Sequence, residues 1–261
     1  MRVTNRKIAS VGVQWQRIVG FSWLFDNPGA TYRRDGAMLR AACDVDDARH
    51  TFYKRVGETC RSLQFDSPCN HRAFCALPTD SLHVTALNGF EQKALPEIAL
   101  RTLLYEVPNC NAGELNRAFC DLDISGQTLT AFDRTISFKF KELRRWRSLV
   151  LAIELQPAGA PSHDSFQQLC DLRERLDRQL HQKIVGRTTR PFAPHITFGY
   201  FAWPDRIAAV EDDLFDQWNN AFAQSLDGST IEFSSIGLYV YTDMVSLYRL
   251  TPQPGSKQTC S

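Results

Sequence analysis

The stretch Leu82-His83-Val84-Thr85-Ala86-Leu87 alternates polar and apolar side chains, and Pro194-His195-Ile196-Thr197-Phe198 repeats its pattern. A histidine and a threonine two residues apart, each followed by an apolar residue, have the period of a half-buried strand. His83 and Thr85 then project from one face while Val84 and Ala86 project from the other. His195 and Thr197 repeat the geometry against Ile196 and Phe198. One such tetrad is an ordinary strand with a β-branched residue. With six histidines in 261 residues of which 43% are hydrophobic, roughly 0.15 tetrads arise by chance, so two in matching surroundings point to one shared site.

Outward from these two strands, the apolar period alternates along the chain. Strands are expected over 18–25, 73–77 and 82–87, then over 119–124, 128–132, 135–140 and 149–155, with the charged segment 141–147 as a break. Further strands are expected over 192–201, 231–240 and 245–250. Helical spacing covers 46–63, 92–107, 161–186 and 205–225, and Ser165 with Gln168 has the spacing of a capping box. Asn27-Pro28-Gly29 and Pro78-Thr79-Asp80 read as turns. Short strands separated by helices, in two similar halves, predict an α+β fold with two lobes in one domain.

Thirty Lys plus Arg against 29 Asp plus Glu leave a formal charge of +1. That balance argues against duplex DNA or an acidic membrane as partner, since both call for a basic excess. A small anion held by a few aimed groups is compatible with it. The eight cysteines form no Cys-x-x-Cys pair, and no Asn-x-Ser/Thr acceptor occurs, so free thiols in a reducing, cytoplasmic setting are expected. No secretory leader and no membrane-spanning apolar run is read in the chain.

Phosphate-binding Gly-rich loops, the Gly-x-Ser-x-Gly elbow and the His-Glu-x-x-His helix are all missing. The pairs Asp121 and Asp123, and Glu211 to Asp213, read as surface acids, so no metal site and no cofactor is expected. His50, His71, His163 and His181 lack a partner pattern and are expected in solvent. Two imidazoles across a cleft suit one general base and one general acid near neutral pH. The adjacent threonine hydroxyls suit the non-bridging oxygens of a phosphoryl group gaining charge.

In these residues the chain resembles the two-histidine (2H) phosphoesterase superfamily, whose LigT-like members include RNA 2′,3′-cyclic phosphodiesterases. The hallmark is a pair of His-x-Thr/Ser-x motifs on strands of two lobes; here the histidines lie 112 residues apart. The resemblance implies a bilobal fold with antiparallel sheets lining a central cleft and helices outside. It implies a core over 71–252, an N-terminal extension over 1–70 carrying the first strand and helix, and a tail over 253–261. Residues 108–120 lie outside the minimal family core.

Carried over, the resemblance makes His83 and His195 the acid/base pair of a metal-independent hydrolase acting on phosphoric diester bonds, with Thr85 and Thr197 orienting the phosphate. The implied substrate is a 2′,3′-cyclic nucleotide or an RNA end, bound by a monomer. A 2′,5′-phosphodiesterase, an RNA end-processing enzyme, or a non-catalytic nucleotide- or RNA-binding module on this fold are the alternatives. Arg190, and the cluster Arg144, Arg145 and Arg147 around Trp146, are further candidates for phosphate or base. Tyr239 is a candidate for stacking on a base.

Overall fold

A computed structural model describes residues 7, 15, 16, 18, 20–35, 38–43, 46–64, 74–91, 129, 132–146, 150–183, 191–202 and 212–249. Strand β1 (Gly20–Phe25) is followed by the hairpin of β2 (Ala30–Asp35) and β3 (Met38–Cys43), then by helix α1 (Thr51–Ser62). Next come β4 (Phe74–Ala76), β5 (Thr85–Glu91), β6 (Ile136–Trp146) and β7 (Val150–Pro157). Helix α2 (Ala160–Lys183), β8 (His195–Phe201) and helix α3 (Asp212–Ser225) precede β9 (Thr230–Phe233), β10 (Ile236–Tyr241) and β11 (Leu247–Arg249).

The strands form two antiparallel sheets, one in the order β2-β3-β11-β10-β1-β5 and one in the order β4-β8-β7-β6-β9. The expected α+β architecture is therefore present. β1 sits between β5 and β10, and its six residues are all buried. Helices α1, α2 and α3 contribute Phe52 and Val56, Leu169 and Leu176, and Trp218 and Phe222 to one core with both sheets. No helix among the described residues is long and apolar enough to cross a membrane. The stretches 92–107 and 119–124, and most of 128–132, lie outside the described residues.

Several boundaries differ from the sequence reading. β6 runs through the charged segment expected to break it, because Glu142, Arg144 and Trp146 alternate with buried Leu143 and one face of the strand is polar. The run 231–240 is two strands in different sheets, parted at Ser234 and Ser235, with Phe233 and Ile236 buried on either side of the break. β2 and β3 carry too little alternation to be read as strands. Their register with each other and with β11 is what makes them a sheet edge. Ser165 lies inside α2 and is buried, so the capping-box spacing does not mark the helix start. Ser162 instead accepts a hydrogen bond from the Ser137 N–H. His50, expected in solvent, is 2% exposed with its ring stacked on Tyr53.

Gly199 is among the described glycines required by close approach. A Cβ at Gly199 would collide with the Phe74 ring and lie 2.8 Å from the Cys75 carbonyl oxygen, where β4 pairs with β8. Since backbone cannot step aside, Gly199→Ala is expected to cost about 1–3 kcal/mol, read as a lower melting temperature in thermal unfolding. An unchanged melting temperature would contradict this packing.

Candidate functional site

Among the described residues, one isolated antiparallel bridge joins the two sheets, between Val84 and Ile196, the second residues of the two tetrads. Phe25 N–H donates to the Val84 carbonyl on one side, and Leu77 N–H donates to the Phe198 carbonyl on the other. Around an antiparallel pair the neighbours run in opposite directions. His83 is thereby set opposite Thr197, and Thr85 opposite His195, all four on the face away from Val84 and Ile196. Val84, Ala86, Ile196 and Phe198 are at most 1% exposed, whereas both histidines and both threonines are partly exposed. Residues on the diagonal of such a pair have Cβ atoms about 7 Å apart, a span suited to one phosphate between two imidazoles.

The imidazoles are held in the same way. His83 Nδ1 lies 2.9 Å from the Ser81 carbonyl oxygen, and His195 Nδ1 lies 2.8 Å from the Ala193 carbonyl oxygen, each two residues back along the chain. A carbonyl only accepts, so in both rings Nδ1 carries the hydrogen. Nε2 is then a lone-pair base in the neutral ring and a donor in the charged ring. Burial pushes both imidazoles below the ordinary histidine value, and the Ser81 and Ala193 carbonyls push back. His195 also feels the charge of His83, which lowers it further, and the carboxylate of Glu154, which raises it.

The second sheet extends this face. Glu154 on β7 pairs directly with His195, and it is 7% exposed. Burial alone would raise its carboxyl, but hydrogen bonds from Lys141 and Arg144 hold it below the usual range. The Trp146 ring meets the His195 ring edge to face, with centroids 4.3 Å apart. Sequence reasoning singled out Arg144 and Trp146 only as a cluster and missed Glu154 and Lys141. The period-two spacing of Glu142, Arg144 and Trp146 was the available signal.

Two further candidates, Arg145 and Tyr239, are placed elsewhere. Arg145 points to the helix side, over the Phe215 ring at 5.6 Å. Arg147 and Arg190 lie outside the described residues. Tyr239 is 3% exposed, and its hydroxyl donates to Asp26 Oδ1 at 2.5 Å and contacts the Tyr32 hydroxyl at 3.0 Å. Asp26, just after β1, also binds Ser235 and the Nε and Nη2 of Arg249. A cavity lined by His83, Tyr239, Asp80 and Asn27 measures about 20 Å³, room for a water but not for a base.

The fold has solved counterparts. A protein of unknown function from Agrobacterium tumefaciens superposes with a TM-score of 0.55 at 14% identity, covering 94% of this chain and 90% of its own. That likeness establishes the fold. A structure described as a phosphoesterase matches at a TM-score of 0.44 and 14% identity, over 90% of this chain and 94% of its own. Kluyveromyces marxianus Usb1, solved with uridine monophosphate, matches at 0.44 and 11%, over 89% and 97%. No protein-family model and no curated protein matches the sequence.

Proposed function

We propose that this protein is a metal-independent phosphodiesterase that opens a 2′,3′-cyclic phosphate on a small nucleotide or an RNA end. One observation carries the reading: the Val84–Ile196 bridge brings both His-x-Thr motifs to one face, with Nδ1 of each imidazole tied to a backbone carbonyl. Water attacks phosphorus, and the Nε2 of one histidine takes its proton. The other histidine, entering as imidazolium, gives its Nε2 proton to the 3′ oxygen as the P–O3′ bond breaks, leaving a 2′-phosphate. Thr85 and Thr197 donate to the non-bridging oxygens as charge gathers on them. Proton exchange with water resets the pair, and one general acid with one general base suffices for the chemistry.

The test incubates the protein with 2′,3′-cyclic nucleotides and short 2′,5′-linked oligonucleotides in EDTA. Turnover of the cyclic substrates that EDTA leaves intact is the expected result. Turnover lost in EDTA, or confined to 2′,5′ linkages, would overturn the reading.

The pH dependence of kcat/KM reports the free enzyme's acid and base. Because both histidines sit below their ordinary value, the bell is expected to peak on the acid side of about pH 6.5. The base must lose its proton on the rising limb, and the acid must keep its own on the falling limb. A lowered pKa moves each limb to lower pH. A maximum above pH 8 would contradict the desolvated placement of the imidazoles.

A further inference from the structure

Each tetrad has a carboxylate on the neighbouring strand or just beyond it: Asp26 next to the first, Glu154 next to the second. Each carboxylate binds an arginine, but the arginines differ in what they show to solvent. Arg249 is 6% exposed and binds both oxygens of Asp26, so its charge is spent inside the protein. Lys141 and Arg144 have side chains 42% and 44% exposed, while the Glu154 side chain that holds them is only 9% exposed.

The backbone of β6 is shaped to produce this arrangement. Pairing with β7 passes from Phe140 opposite Leu155 to Glu142 opposite Glu154, so Lys141 is the extra residue of a bulge. A bulge turns a side chain to a face it would not otherwise reach, and Lys141 Nζ joins Arg144 Nε on Glu154. The buried carboxylate thus pins both cations by their inner donors. Among the described residues, Arg144 Nη1 has no partner, and its Nη2 binds only Glu142, whose side chain is 40% exposed.

In register, Arg144 faces Ala152 and Ala152 faces Thr197. Two strand spacings, about 9.5 Å, therefore separate the backbone of Arg144 from that of the second motif, with only a methyl group between them. A guanidinium reaching inward across that gap meets a group next to the reacting phosphate.

We propose that Lys141 and Arg144 form a second anion subsite that takes a further phosphate of the same substrate, either the 5′-phosphate of the reacting nucleotide or the phosphodiester joining it to the next. This rests on the phosphodiesterase reading above and deepens it: molecules with a second phosphate are the preferred substrates. Glu142 occupies the subsite when no substrate is bound and is displaced by it.

Binding calorimetry with adenosine 2′-phosphate, adenosine 2′,5′-bisphosphate and a dinucleotide bearing a terminal 2′-phosphate tests the subsite without turnover. One charge-assisted contact at this exposure corresponds to about tenfold tighter binding of the bisphosphate. That advantage should fall towards one in Lys141→Gln and Arg144→Gln, shrink between low and moderate salt, and grow in Glu142→Gln. Whichever of the bisphosphate and the dinucleotide binds tighter identifies the source of the second phosphate. Equal binding of mono- and bisphosphate to the unaltered protein, or an advantage that survives both cation substitutions, overturns the proposal. Cyclic-phosphate turnover without the advantage would sink the subsite alone. The advantage without turnover would sink the catalytic reading alone.

Discussion

His83→Ala and His195→Ala are each expected to lower kcat/KM for a 2′,3′-cyclic nucleotide by about 10²–10⁴-fold, the usual worth of one positioned acid or base. Both side chains are partly exposed, so the fold should tolerate their loss, and an unchanged melting temperature is the control. The double variant is expected to be barely worse than either single one, because acid and base act as a unit on one phosphorus. An aryl phosphodiester separates the two roles, since its leaving group departs without needing a proton. With that substrate the variant lacking the acid should recover and the variant lacking the base should not. Turnover that survives both single substitutions would refute the mechanism.

Arg249→Met should be the most damaging single change to stability. It leaves Asp26, with a side chain 13% exposed, without its cation, and breaking a buried pair by removing one partner costs about 3–5 kcal/mol. For a chain of this size that is a fall of roughly 10 °C in melting temperature. The effect has a defined pH dependence. Burial pushes the Asp26 carboxyl up, but Arg249, Tyr239 and Ser235 hold it below its ordinary value in the native protein. Its contribution is therefore present above the unfolded value of about 3.9 and is lost as pH falls through the native value. In the variant the same carboxyl is buried without compensation and shifts upward. The stability gap between the two proteins should therefore narrow on acidification, first above about pH 4 as the variant's raised carboxyl takes up its proton, then below it as the native pairing is lost. Urea unfolding at pH 7 and pH 3.5 measures it, and a gap that widens in acid would be inconsistent with the pairing.

The hairpin of β2 and β3 and the split of 231–240 show where local pattern stops being informative. An edge strand paired through its backbone needs no apolar alternation, so its sequence need not announce it. The two short strands either side of Ser234 and Ser235 read as one long one, because the buried Ile231 and Phe233 of β9 lead straight into the apolar run of β10. The length of β6 was hidden for the converse reason. A strand with one polar face, crowded here with Lys141, Glu142, Arg144 and Arg145, resembles a loop until the opposite face is known to be buried.

The sequence by itself determined that two His-x-Thr strands exist and which side of each is apolar, because a period of two is a property of the chain alone. Only the tertiary structure decided that they meet, since the Val84–Ile196 bridge joins residues 112 apart through a choice of sheet order. The same holds for the groups around His195. Glu154 and Trp146 reach it through cross-strand register, and Lys141 reaches Glu154 through one bulge; register is set by which faces bury against the helices, not by any short run of residues.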